Sequence, residues 1–593
     1  MKDILKVTAG TLLAFVISGV FFSAVYFLIF IALIATGGSS SVKDNSVMHL
    51  QLSGALKERS SEGSPFDMIM GFGDDDGGLA LSDVKKALKV AAEKSEIKGV
   101  YIDCGILAAD YAMAQELRQA LLDFKKCGKF IAAYGEAYTQ SCYYVASVAD
   151  KVMLNPSGLL DWHGIASQPI FYKELADKLG VKFQVFKVGT YKSAVEPYIL
   201  TEMSDANREQ VTSYINGIWN NIVKEVADSR KLNADTLNSY ADKYVMLAQA
   251  TEYQKLHLVD TLCYVDGARA ALHRMAKVDN DEELNLTSVG ALAKLYEPKK
   301  HGDEIAVYYA SGEIVDEIAS GPMSLKNGET IVGQKVVEDL DKLANDDDVK
   351  AVVLRINSPG GSANASEQMW RAIQLLKEKK PVVVSMSGVA ASGGYYMSCG
   401  ADYIFAEPTT ITGSIGIFGL IPDASGLLTQ KLGLHFDVVK TNESSDFGAT
   451  GRPFNEKESA AMQNYVNEGY RLFVSRVAGG RKMTAEQVDS IGQGRVWTGE
   501  QALGIKLVDK MGTLEDAVAY AAKLAKAKEY KTTEFPKESE WWENLLAKDK
   551  GDEYMERKFR LILGEWYQPL TVLRQVEAGH YLQARMPYEP NFK

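Results

Sequence analysis

Ser392 stands in the run SMSGVAASGGYY (385–396), where an apolar, β-branched stretch breaks into glycine and serine before resuming as YYMSCGA. The break reads as a turn at the end of a strand, followed by a helix. A hydroxyl there sits near a helix N-terminus, whose partial positive charge favours a developing anion. A similar turn, INSPGGSA (356–363), closes the preceding strand. In it Gly360 and Gly361 can present adjacent backbone N–H groups that a side chain would crowd. Either turn alone is ordinary in a sheet protein. Together, at successive strand ends, they supply a nucleophile and donors for an oxyanion, and the chemistry they suggest is acyl transfer.

Such a serine needs a base. The seven histidines are scattered, and none has an Asp partner in a recognisable arrangement. His435, the nearest to Ser392 in sequence, sits where a strand should begin. This argues against a Ser–His–Asp triad. A lysine can replace histidine if desolvation or a neighbouring cation lowers its pKa from ~10.4 toward neutrality. The task is then to find a lysine in a partly buried turn.

An internal repeat selects it. KGVYIDC (98–104) matches KAVVLRI (350–356), and YYVASVADKVMLNPSGLLDWHGI (143–165) matches YYMSCGADYIFAEPTTITGSIGI (395–417). KFQVFK (182–187) pairs with HFDVVK (435–440), and LVD (258–260) with LVD (507–509). In this alignment Ser392 faces Gln140, and SPGG (358–361) faces ILAA (106–109), so the first unit lacks nucleophile and oxyanion turn. Yet the first unit carries GTYKSAVEPY (189–198), whose Lys192 aligns near Ser444–Ser445. One unit has the serine and no lysine there; the other has the lysine and no serine. The halves are complementary losses from a duplicated domain, and a composite site is expected where they meet. Without the repeat, Lys192 would read as a surface lysine, the usual fate of that residue. Lys187 and Lys440 are rival bases, but they align with each other and suit a structural role common to both units. Lys98 and Lys350 also align and read as solvated strand ends.

The elements that must position these residues follow from periodicity. IAVYYA, AVVLRI and PVVVSM read as buried strands, while VVEDLDKLAND and ASEQMWRAIQLLKEK between them read as helices. Strand–helix–strand at this spacing implies crossover units and a largely parallel sheet. Two α/β domains are expected, about 46–295 and 296–530, with a tail at 531–593 whose aromatics, Trp541, Trp542 and Trp566 among them, suit a helix docked on the body.

These motifs resemble signal peptide peptidase A in its long form, also called protease IV. SPGG, GVAASGGYY, TGSIG (412–416), YKSAVEPY and RVWTG…LVD carry the resemblance, which covers about 46–530 and the N-terminal segment. It implies a Clp-peptidase/crotonase-like fold in both domains, Ser392 as nucleophile and Lys192 as general base. It also implies Ser414 as the serine that hydrogen-bonds the lysine, and the N–H groups of Gly361 and Gly393 as the oxyanion hole. Homotetramers that degrade residual signal peptides after their release from secreted proteins are the family's expected assembly and role. The competing readings are a crotonase-like acyl-CoA enzyme, or a membrane scaffold that retains an inactive peptidase fold.

The rest of the chain fits. From Val7 to Thr36 there is no charged residue, longer than the ~20 residues that a helix needs to cross a bilayer. Its length favours a retained anchor over a cleaved signal peptide, whose apolar region would be only ~7–15 residues. Lys2 and Lys6 before it place the N-terminus in the cytoplasm. Residues 1–45 are therefore expected to be an inner-membrane anchor and linker, with the body in the periplasm. The net charge of −12, without a basic stripe, argues against a nucleic-acid partner. The five cysteines, Cys104, Cys127, Cys142, Cys263 and Cys399, form no CxxC pair and sit near no histidine cluster. Neither a metal nor another cofactor is called for, although one disulfide among the first three stays open.

Overall fold

The computed structural model describes residues 18, 19, 22, 42–60, 78–279, 282–316, 330–537 and 583–586. Apart from residues 18, 19 and 22, the apolar N-terminal stretch lies outside the described residues, as does the aromatic part of the tail. Among the described residues no helix is long and apolar enough to cross a membrane.

The strands form three sheets, one in each unit and a third that runs 330–332, 313–315, 360–362, 583–585, 418–423 and 182–187 across both. In the first unit the order is 79–80, 46–57, 97–108, 130–138, 151–160 and 261–262, with 285–288 beside 46–57, all parallel. In the second the order is 496–498, 411–413, 382–391, 349–358, 303–311 and 530–535. It is parallel except where Ile411–Gly413 meets Val496–Thr498. Helices cover both faces, so the central strands are apolar without alternation: Val352, Val353, Leu354, Val382, Val383 and Val384 are all fully buried. Helices Gly333–Asn345 and Ala363–Lys377 fall on the two segments expected. The repeat survives element by element: helices 111–125 and 205–230 of the first unit correspond to 363–377 and 456–481 of the second.

It fails at one place. Lys182–Lys187 leaves the first unit and pairs antiparallel with Phe418–Asp423 of the second, Lys187 opposite Phe418. The aligned segment 435–440, expected to be a strand, is not one, and Val439 lies almost entirely in solvent. The reason is supply of a partner: an edge strand forms only where another edge accepts its backbone hydrogen bonds. At the other end, strand Tyr530–Phe535 runs five residues past the boundary expected at 530 and completes the second sheet against Asp303–Ser311.

The largest core clusters lie in the two units, and a buried ionic network joins the units. The Arg355 guanidinium of the second unit donates to Glu58 (3.0 Å) and Glu116 of the first, and to Ser385 (3.0 Å) and Ser387 (3.1 Å) of its own sheet. Lys85 also donates to Glu116. Burial of this kind requires every partner, because an unpaired charge in the same place would be strongly destabilising. All five cysteines carry free thiols.

Candidate active site

Ser392 is the residue at which strand Val382–Ala391 turns into helix Gly393–Ser398. Its backbone is held at φ 54°, ψ −111°, a region an L-residue seldom occupies. Ser392 N donates to Gly413 O (2.8 Å), and Ser392 O accepts from Tyr396 N (2.7 Å), which fixes the kink from both sides. The side chain is fully buried. The turn expected to hold the oxyanion lies beside it. Gly360 and Gly361 have φ 100° and 153°, and a Cβ on Gly360 would stand 2.8 Å from Gly393 N. A Cβ on Gly361 would lie 2.0 Å from Ile314 O. Only glycine lets the two backbones approach this closely.

Lys192 arrives from the other unit. The crossing strand Lys182–Lys187 delivers the turn 189–192, which is pinned by Tyr191 N to Gln493 O (3.0 Å) and by Gln210 Nε2 to Tyr191 O (3.0 Å). Lys192 Nζ then lies 2.9 Å from Ser392 Oγ, 3.1 Å from Ser414 Oγ and 3.3 Å from Ser414 O. Ser414, itself at φ 50°, is held by its N–H on Arg495 O (2.7 Å). The lysine is wholly buried, with the Phe418 ring 5.9 Å from Nζ. Burial pushes its pKa well below the ordinary lysine value, with no carboxylate among the described residues to offset it. An amine so placed is neutral more readily than one in water and can accept a proton from the hydroxyl it touches.

The five residues picked out from the sequence therefore come together: Ser392, Lys192, Ser414, Gly361 and Gly393. The rival lysines do not join them. Lys187 Nζ reaches Lys192 O (3.4 Å), and Lys440 pairs at the surface with Asp446 (2.6 Å). Lys98 and Lys350 hold turn carbonyls of Ser95 and Asp347 at exposed strand ends. In the first unit Gln140, which aligns with Ser392, fills the equivalent place with hydrogen bonds. Its amide donates to the Tyr111 hydroxyl (2.9 Å) and Gly164 O (3.0 Å), and accepts from the N–H groups of His163 and Gly164.

Two contributions were not read from the sequence. One is Gly494, φ 82°, where a Cβ would lie 2.6 Å from the Lys192 backbone and Cβ. The glycines of IGQG beside RVWTG were the available signal. The other is strand Gln583–Arg585, which runs antiparallel to Gly360–Ser362. No periodicity marks three residues in a tail.

Comparison with known proteins agrees with this architecture. The model described as peptidase family S49 matches residues 123–279 and 374–528, once in each half. The Clp protease model matches 324–410. "Protease 4" of Salmonella typhi is 38% identical over 490 residues, 81% of this chain and 75% of that one. "Protease 4" of Haemophilus influenzae is 35% identical over 459 residues, 75% of this chain and 73% of the other. The Arabidopsis thaliana "Serine protease SPPA, chloroplastic" is 31% identical over 457 residues, covering 76% and 66%. The chain belongs to peptidase family S49, as a serine peptidase of the long protease IV form with a duplicated, Clp-protease-like fold.

Proposed function

We propose that this peptidase works through a Ser–Lys dyad assembled from its two units. Neutral Lys192 takes the proton of Ser392, whose oxygen attacks a peptide carbonyl. The N–H groups of Gly361 and Gly393 hold the oxyanion, and Lys192 returns the proton to the leaving amine. Water then hydrolyses the acyl-enzyme. Ser414 keeps the amine aimed at Ser392. The observation that carries the reading is the 2.9 Å contact between two fully buried side chains from different units.

The same reading includes an N-terminal helix anchored in the inner membrane, a periplasmic body, and residual signal peptides as substrates. Its support is the uncharged stretch Val7–Thr36 and the family resemblance. It also includes a homotetramer. In its favour, segment 435–440 has no strand partner among the described residues, and Leu434, Phe436, Val438 and Val439 are exposed there. By the logic of the repeat, its acceptor is the first-unit segment that aligns with Phe418–Asp423, on a second copy, which makes the contact head-to-tail and able to close a ring.

Ser392→Ala and Lys192→Ala are each expected to lower hydrolysis of a short apolar peptide by roughly 10⁴-fold or more, with circular dichroism unchanged. Wild-type turnover by either variant would end the dyad assignment.

A further inference from the structure

A cavity of 610 Å³ lies between the two units, away from the dyad. The first unit lines it from helices Tyr111–Lys125 and Asp205–Arg230, the second from Glu407, Pro408 and the turn 511–516. Its charges are unbalanced, with the carboxylates of Glu225, Asp228, Glu407 and Asp516 against the cations of Arg118 and Lys125.

Both cations are already paired within the first unit. Arg118 donates to Tyr144 O and Ser147 Oγ (2.7 Å each), and its guanidinium lies 3.3 Å from the Glu225 carboxylate. Lys125 pairs with Asp150 (2.6 Å) and donates to Val148 O (2.9 Å). Glu225 also accepts from the Tyr144 hydroxyl (2.6 Å), and Asp516 accepts from Thr513 N (3.0 Å) at its helix N-terminus. Two carboxylates remain. Glu407 is 6% exposed, and its Oε1 has no hydrogen-bond partner among the described residues. Asp228 is exposed and makes no hydrogen bond or ion pair among them.

A buried carboxyl without a partner is destabilising and calls for an explanation. Burial pushes the Glu407 pKa up to about 8, with Glu116 and Glu225 adding to the rise and Arg355 and Lys85 opposing it. A cation inside the cavity would supply the missing partner. Among the described residues no group of three or more His, Cys, Asp or Glu is placed to hold a metal ion, which leaves an organic cation. The apolar wall offered by Leu122, Val148 and Met511 suits an alkyl chain.

We infer that this cavity binds a linear aliphatic diamine, with one ammonium on the Glu407 carboxylate, the other on Asp228, and the methylenes along Leu122, Val148 and Met511. Binding sends the Glu407 proton to solvent. Such a ligand touches both units, so it binds only the docked pair and stabilises it by mass action. The inference does not rest on the dyad reading.

The test is isothermal titration of the purified full chain with cadaverine in phosphate buffer at pH 8, with pentylamine in parallel. One cadaverine per chain should bind with a Kd below about 1 mM, and pentylamine roughly tenfold more weakly or worse. Saturating cadaverine should raise Tm by about 2 °C or more. Glu407→Gln should weaken cadaverine binding by roughly tenfold or more, and Asp228→Asn should reduce it to the level of pentylamine. Asp228 is exposed, so that variant decides the matter if Glu407→Gln does not fold. Neither heat nor a Tm shift at about 10 mM cadaverine, tenfold above that Kd, overturns the inference. So does undiminished binding by a folded Glu407→Gln or by Asp228→Asn.

Discussion

Lys192→Met should make the protein more stable while silencing it, and the pH dependence of that gain measures the proposed base directly. A lysine in water has a pKa of ~10.4, so holding one neutral at pH 7 costs about 4 to 5 kcal/mol at 1.36 kcal/mol per unit. Met keeps the length and apolar stem without that cost. It gives up the hydrogen bonds to Ser392 Oγ, Ser414 Oγ and Ser414 O, each worth about 1 kcal/mol net. The expected gain at pH 7 is about 1 to 3 kcal/mol. Its sign with pH is fixed. Burial lowers the folded pKa, so between the folded and unfolded values the unfolded chain binds one more proton than the native one. Wild-type stability then rises with pH across that window, by about 1.4 kcal/mol per unit, and the deficit vanishes above the unfolded pKa. Guanidinium unfolding of both proteins at pH 7, 8 and 9 isolates the term, because every other titrating group is common to the pair. The variant's advantage should shrink steadily from pH 7 to pH 9. A constant difference would mean that the lysine keeps its proton in the folded protein, and a protonated amine cannot act as the base.

Three further perturbations bear on the same architecture. Gly494→Ala should cut kcat by tenfold or more with little change in KM, since the new Cβ would meet Lys192 at 2.6 Å in a backbone at φ 82°; steady-state kinetics check it. Arg355→Met should cost about 3–5 kcal/mol in thermal or guanidinium unfolding, because it leaves Glu58 and Glu116 buried without their cation. Glu407 is pushed up to about 8 by burial, so from about pH 5 to pH 8 the folded chain holds a proton that the unfolded one releases, and wild-type stability falls as pH rises. Glu407→Gln should therefore gain on wild type across that range in parallel unfolding curves, and no change in their separation would contradict the assignment.

How much of this was legible depends on what each element leans on. Strands 349–358 and 382–391 and helices 333–345 and 363–377 carry their own pattern, because each buries a continuous apolar run or stripe. Lys192 was legible only through the repeat: its own neighbourhood, GTYKSAVEPY, has no mark that separates a buried lysine from an exposed one. Segment 435–440 has the same β-branched character as 182–187 and yet forms no strand, since pairing and not composition decides an edge. Gly494 matters because of a close approach to a residue some three hundred positions away, which no local pattern encodes. Gln583–Arg585 is too short to be a strand on propensity, and its conformation is imposed by the two strands it lies between.

The division of labour between the units has a physical consequence. The groups that meet the Lys192 amine and stem come from the second unit: Ser392 and Ser414 at the tip, the Phe418 ring 5.9 Å from Nζ, and Gly416, where a Cβ would lie 3.1 Å from Lys192 Cδ. The first unit contributes the chain that carries the lysine, and the crossing strand Lys182–Lys187 ties it to Phe418–Asp423. The lowered pKa is therefore a property of the docked pair and of neither half. A first unit on its own would leave Lys192 solvated, charged and inert, and a second unit on its own would hold a strained Ser392 with nothing to take its proton. On the proposed dyad, activity is conditional on docking, which the buried Arg355–Glu58–Glu116 network and the crossing strand jointly secure. A peptidase built this way cannot act while it is half folded, because the base becomes competent only when the last interface closes over it.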